Sequence, residues 1–278
     1  MTLEHFFLTA WDPEPSVFIG CALLTLGYWK IGGFKRKGAA PWFFLASMAV
    51  LLLALVSPLD TLADHYLFSA HMLQHMILYE AVPTLFLLGL PEESLRRVLR
   101  WAPAARVERL LRRPGLSWFI GIGVLFIWHW PPLFDAAMVN EPLHIFQHLC
   151  FLVGGTIFWY PILTPLLEAR TNVFQTITYL FLGCMSTSVL GLMIATHAPG
   201  LYAFYDAPVD AYGILPTLRG PAGLTLANDQ QLGGFLMWAP CCLLYVAAIM
   251  ASITQWYMRD EEVPESVVVP VPASGRGA

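Results

Sequence analysis

Residues 69–90 read Ser69-Ala-His71-Met72-Leu-Gln74-His75-Met76-Ile-Leu-Tyr-Glu80-Ala-Val-Pro83-Thr-Leu-Phe-Leu-Leu-Gly-Leu90, and this stretch decides the fold. A helix that crosses a bilayer needs about 20 mostly apolar residues. The stretch meets that length with one acid, Glu80, and two histidines. Similar runs lie near 16–34, 41–57, 115–131, 143–164, 174–196 and 233–257. The first is the weakest, because Lys30 and the Gly32-Gly33 pair interrupt it. The expectation is an all-α membrane protein, a seven-transmembrane-helix bundle forming a single domain over 1–257. A disordered cytoplasmic tail is expected over 258–278, where charge and a Val/Pro run replace the apolar pattern.

Composition agrees with a lipid setting. The 278 residues are 57% hydrophobic and 12% charged, with a mean hydropathy of +0.62. Soluble domains carry about 25% charged residues. Net charge is −4, which argues against nucleic acid as a partner. The five cysteines, Cys21, Cys150, Cys184, Cys241 and Cys242, all lie in apolar runs without a CxxC. Neither a disulfide framework nor a thiol redox motif is expected. Glu4, Asp12 and Glu14 precede the first run where a cleavable signal would be basic.

Lysine and arginine set the expected orientation. Lys30, Lys35, Arg36 and Lys37 occupy one loop, seven arginines occupy 91–114, and Arg170, Arg259 and Arg276 follow on the same side. Only Arg219 falls opposite. The positive-inside rule then puts the N-terminus outside and the C-terminus in the cytoplasm. The basic 91–114 stretch reads most simply as a topology signal that meets anionic lipid. The long outer segment 197–232, with Pro199, Pro208, Pro216 and Pro221, reads as a functional loop over the outer mouth.

On this topology all eight histidines fall on the outer side. His5 and His65 lie in outer segments; His71 and His75 open the third span, and His144 and His148 open the fifth. His129 and His197 close the fourth and sixth. Pairs at i, i+4 share one helix face, which is how a helix offers two imidazoles to one metal ion. His71, His75, His144, His148, His129 and His197 are therefore candidate metal ligands. The HxxQH pattern occurs twice, and Pro58-Leu59-Asp60 is echoed by Pro132-Leu133-Phe134-Asp135, which suggests two related hairpins. Met72, Met76 and Met237 stand near the same level and tilt the metal toward copper, since thioethers favour Cu(I). Gln74 and Gln147 are candidate partners that orient the imidazoles. Asp60 and Asp135 add acid to the outer face, which should attract cations. Glu80, about 16 Å into its helix at 1.5 Å per residue, is a candidate proton or cation relay.

Four segments, taken together and in order, resemble the multi-spanning CtaG family, the assembly factors of caa-type haem–copper cytochrome c oxidases. They are His71-Met-Leu-Gln-His75 with Pro83 and Leu88-Gly-Leu-Pro91; Trp128-His-Trp-Pro-Pro-Leu-Phe-Asp135; His144-x3-His148 with Phe158-Trp-Tyr-Pro161; and Asp229-Gln-Gln-Leu-Gly-Gly-Phe-Leu-Met-Trp238. The resemblance implies a non-catalytic metallochaperone of the bacterial plasma membrane. It implies copper delivery to the copper centre of an oxidase subunit in the same bilayer, with a periplasmic copper donor upstream. The residues leave open two other readings: a b-type haem protein with bis-histidine ligation, and a metal permease or metal-dependent membrane hydrolase, although neither histidine pair carries the HExxH glutamate.

Overall fold

Proline sets where the helices begin. The fold is seen in a computed structural model that describes residues 2–35, 37–220 and 223–261, with side chains up to Met258. Pro15, Pro41, Pro58, Pro103, Pro114, Pro131 and Pro142 each stand in the first turn of a helix, where the missing N–H costs nothing. The helices are α1 (Leu3–Thr9), α2 (Pro15–Lys30), α3 (Ala40–Val56), α4 (Pro58–His65), α5 (Phe68–Gly89), α6 (Glu92–Val98), α7 (Ala102–Leu111), α8 (Pro114–Trp128), α9 (Pro131–Met138), α10 (Glu141–Leu163), α11 (Val173–Thr196), α12 (Leu215–Arg219) and α13 (Leu226–Glu261). The described residues are 80% helix, with no strand among them. The expected tail from 262 onward, Arg36 and Pro221 lie outside the described residues.

Four helices, α5, α10, α11 and α13, are long and apolar enough to cross a membrane. Two broken pairs bring the number to six if each counts as one span: α3 with α4, bent by 46°, and α7 with α8, bent by 84°. The expected first span is α2, whose 16 residues fall short of that length. The basic 91–114 stretch forms the short helices α6 and α7. Some of its arginines are paired: Arg96 reaches Glu92 and Glu168 at 2.8 Å, and Arg112 reaches Glu108 at 2.5 Å.

The sequence echo has a structural counterpart. The series α3, α4, α5 has 17, 8 and 22 residues; the series α8, α9, α10 has 15, 8 and 23. Each histidine pair begins on the fourth residue of its long helix, so both pairs arrive at matching heights.

Helix α5 is the core. Its most apolar window is 61% buried, against 56% for α10 and 17% for α13. Asp229 at the start of α13 fixes the N-terminus of α5, accepting from Phe68 N at 2.9 Å and Ser69 N at 3.0 Å. Arg219 lies 3.4 Å from the same carboxylate and donates to Tyr66 O and Tyr205 O. The only cation expected among the histidine-side loops is thus tied to a fully buried acid, which offsets the cost of burying it. One unforeseen covalent link is present: Cys184 on α11 and Cys242 on α13 form a disulfide, with Cα atoms 5.0 Å apart. With a sequence separation of 58 and no motif, nothing in the sequence pairs them.

Midway along α5, Ile77–Ala81 forms a π-turn. Pro83 has no N–H to give the Tyr79 carbonyl four residues back, and a π-turn is one way to absorb that loss. The backbone of α10 crosses closely here, because Gly155 has no Cβ; one added there would run into Tyr79 O. A Cβ at Gly123 on α8 meets nothing within 4 Å. Alanine normally gains about 0.5–1 kcal/mol over glycine inside a helix. The two sites should therefore differ in sign. In thermal melts of purified protein, Gly155→Ala should lower the midpoint, with overpacking costing about 1–3 kcal/mol. Gly123→Ala should leave it unchanged or raise it.

Candidate metal centre

Four imidazoles meet where α5 and α10 begin. His71, His75, His144 and His148 each offer a nitrogen, and those atoms all lie within 4.8 Å of one another. Ring centroids are 4.1 Å apart for His71–His75, 4.2 Å for His144–His148, 5.3 Å for His71–His144 and 5.7 Å for His75–His148. The i, i+4 spacing stacks each pair along its helix, and the helix packing closes the square. An ion about 2.0 Å from each nitrogen needs the nitrogens roughly 3.3 Å apart in a tetrahedron. Small side-chain rotations bridge that difference.

The surroundings are dry and aromatic. His71 and His75 are fully buried, and His148 is nearly so. Phe134 packs 5.2 Å from the His71 ring and Phe151 4.3 Å from the His75 ring. His129 is a fifth imidazole, 5.6 Å from His75. Its Nδ1 lies 2.7 Å from Leu125 O; donation there leaves an Nε2 lone pair facing inward. The Nε2 atoms of all five histidines are buried without a hydrogen-bond partner. Each such atom costs about 1–3 kcal/mol. A bundle tolerates five together when they serve as ligands, so the donor set fits a borderline-soft ion such as copper or zinc.

The centre has a way in. A cavity of about 790 Å³ leads from the surface to His144 and His148. Asp12, Glu14, Asp60, Asp64 and Glu141 line it. At its inner end Asp64 straddles the two pairs, with Oδ1 3.7 Å from His71 Nδ1 and Oδ2 3.7 Å from His144 Nδ1. Sequence reasoning missed Asp64, since it sits on α4 outside the apolar span. Only the break at Tyr66–Leu67 folds it back over His71. The segment after α11 closes the other side: Tyr202 donates to His129 O at 2.9 Å and Tyr205 to Ala63 O at 2.6 Å.

The remaining candidates divide. His197 is not brought to the cluster; it is exposed, caps α11, and pairs its Nδ1 with Ala198 O at 2.9 Å. The helix ends one turn too early to turn its ring inward. His5 is exposed, and His65 lines the cavity mouth. Gln74 points away from the imidazoles, donating to Ala54 O at 3.0 Å and Asp60 Oδ1 at 2.6 Å. Gln147 is buried with both polar atoms unpartnered. Asp135 anchors the long loop, accepting from Ala203 N and Phe204 N at 3.3 Å. Glu80 is held on both oxygens, by Trp159 Nε1 at 2.8 Å and the Tyr245 hydroxyl at 2.5 Å. Met72, Met76 and Met237 are buried where α5 meets α13, turned from the imidazole face.

Comparison with known proteins places this geometry. Uncharacterized proteins of Mycobacterium leprae, Mycobacterium bovis and Mycobacterium tuberculosis are each 25% identical to the chain across 92% of its length. The match covers 41%, 40% and 40% of those proteins, so the chain spans about two-fifths of the curated relatives it matches. No solved structure matches. Residues 25–259 match the cytochrome c oxidase caa3 assembly factors, Caa3_CtaG, and with most of its length so matched the chain belongs to that family.

Proposed function

We propose that this protein is a membrane copper carrier for assembly of a haem–copper cytochrome c oxidase. The observation that carries the reading is the set of four buried imidazoles with ligand atoms within 4.8 Å of one another. Family membership supplies the assembly role. Copper enters from the outer face through the acid-lined cavity, where carboxylates concentrate cations. His71, His75, His144 and His148 hold it, with His129 behind them. Asp64 faces Nδ1 of His71 and His144, which favours the tautomers whose Nε2 atoms bind metal. The oxidase subunit receives the ion laterally in the same bilayer. Haem finds less support, since Phe134 and Phe151 fill the space beside the rings.

On this reading the chain is a seven-helix protein of the bacterial plasma membrane, with its N-terminus outside. A phosphatase fused at the C-terminus should be inactive there, and one inserted in the 206–212 loop active. The reverse pattern would overturn the orientation and the outer location of the centre.

Metal analysis tests the centre itself. Purified protein titrated with copper(II) should bind about one ion per chain at the imidazoles, as one four-nitrogen site requires. A variant with His71, His75, His144 and His148 changed to Ala should lose it while keeping a cooperative melt. His197→Ala should keep its copper. Copper absent from the unaltered protein, or a Soret band abolished by the four-histidine variant, would overturn the reading.

A further inference from the structure

Helix α5 shows two different faces. One carries the histidines toward α10. About 100° around it, Met72, Met76 and Glu80 repeat at i, i+4, i+8 and meet Met237, Cys241 and Tyr245, which repeat at the same spacing on α13. The two helices start at the same end, and their contacts run in register: Asp229 to Phe68, Cys241 Sγ to Met76 Sδ at 3.1 Å, and Tyr245 to Glu80. All six side chains are buried. The seam thus holds a free thiol in contact with a thioether, two further thioethers beside them, and a carboxylate at the inner end. From the geometry and chemistry of these side chains we infer a second metal site, sulfur-based and specific for a monovalent soft ion, copper(I), centred on Met76 and Cys241 and flanked by Met72 and Met237.

Chemistry favours the ion and its charge. Thiolate and thioether select copper(I). Cys241 binds as the thiolate, so its proton leaves as the cation arrives and the net charge of the buried seam is unchanged. A divalent ion would add one uncompensated charge in a low-dielectric interior, at a cost of several kcal/mol. The second histidine helix supplies a comparison. The positions in α10 that correspond to Met72 and Met76 are Ile145 and Leu149, so at these positions only the copy facing α13 carries sulfur. Methionine also serves as ordinary core filler, and that alternative forecasts no metal dependence on these residues.

The inference deepens the copper reading but is separable from it. Silver(I), a redox-inert stand-in for copper(I), is titrated into the purified full chain against a competing thiol. The chain carries Cys21→Ser and Cys150→Ser so that Cys241 is the only free cysteine. X-ray absorption at the silver edge should report sulfur neighbours. Met76→Leu, a volume-conserving change, and Cys241→Ser should each weaken this binding at least tenfold, with the melting midpoint nearly unchanged and copper(II) still bound at the imidazoles. The four-histidine variant should keep the sulfur-bound silver. Equal silver affinity in Met76→Leu and the starting protein, or silver with nitrogen neighbours alone, would overturn the second site. A starting protein that holds sulfur-bound silver yet binds no copper(II) would count against the histidine centre only.

Discussion

The carboxylate of Asp229 caps α5 from another helix, and the height of the histidines on α5 follows from it. The first N–H groups of a helix have no partner within the helix, and inside a bilayer no water replaces one. Asp229 accepts from Phe68 and Ser69, and a negative group at a helix N-terminus also meets the positive end of the macrodipole. His71 follows Phe68 by three residues, so the height of the first imidazole is set by this bond. Arg219 lies 3.4 Å from the same carboxylate and also donates to Tyr66 O and Tyr205 O, which ties the long loop to the same point.

Two kinds of buried polar group stand one turn apart on α5, and their partners separate their roles. Glu80 has both oxygens occupied by an indole and a hydroxyl, as expected of a group that stabilises packing. Its relay reading gains nothing from that arrangement. The five buried imidazoles have Nε2 atoms with no protein partner. Glu80 is fully satisfied while these nitrogens are left open, and four of the five histidines offer ligand atoms within 4.8 Å of one another, the arrangement a metal ion would use.

Much of this was legible in advance, for a stated reason. Spacing of four residues is a local property of a helix, so His71 with His75 and His144 with His148 could be read as pairs, and their common depth followed from span boundaries. What depended on helix-to-helix rotation could not be read. Gln74 shares the HxxQH motif but lies between the two histidines on the turn, and its direction belongs to α3 and Asp60. His197 sits at the right depth, yet the chain leaves the helix there. Asp64 and the Cys184–Cys242 link needed distances between separate elements. Of the seven expected spans, four pass among the described residues by length and hydropathy and two more as bent pairs, where a proline begins a new helix at 58 and at 114.

The repeated hairpins explain both the symmetry of the site and its departure from symmetry. Two copies of a kinked helix pair bring two equivalent imidazole pairs to one point without any long-range coincidence in sequence. Beyond the histidines the copies diverge according to their neighbours. The α10 copy turns its next face to the acid-lined cavity, with His144 and Leu149 on the wall. The α5 copy turns the corresponding face to α13 and is sealed from the cavity, so its side chains are chosen by protein contact alone. A duplicated ligand set therefore acquires a wet side and a dry side. On the copper reading, the cavity side would admit an ion past carboxylates, while the sealed side presents the sulfur atoms that pack between α5 and α13.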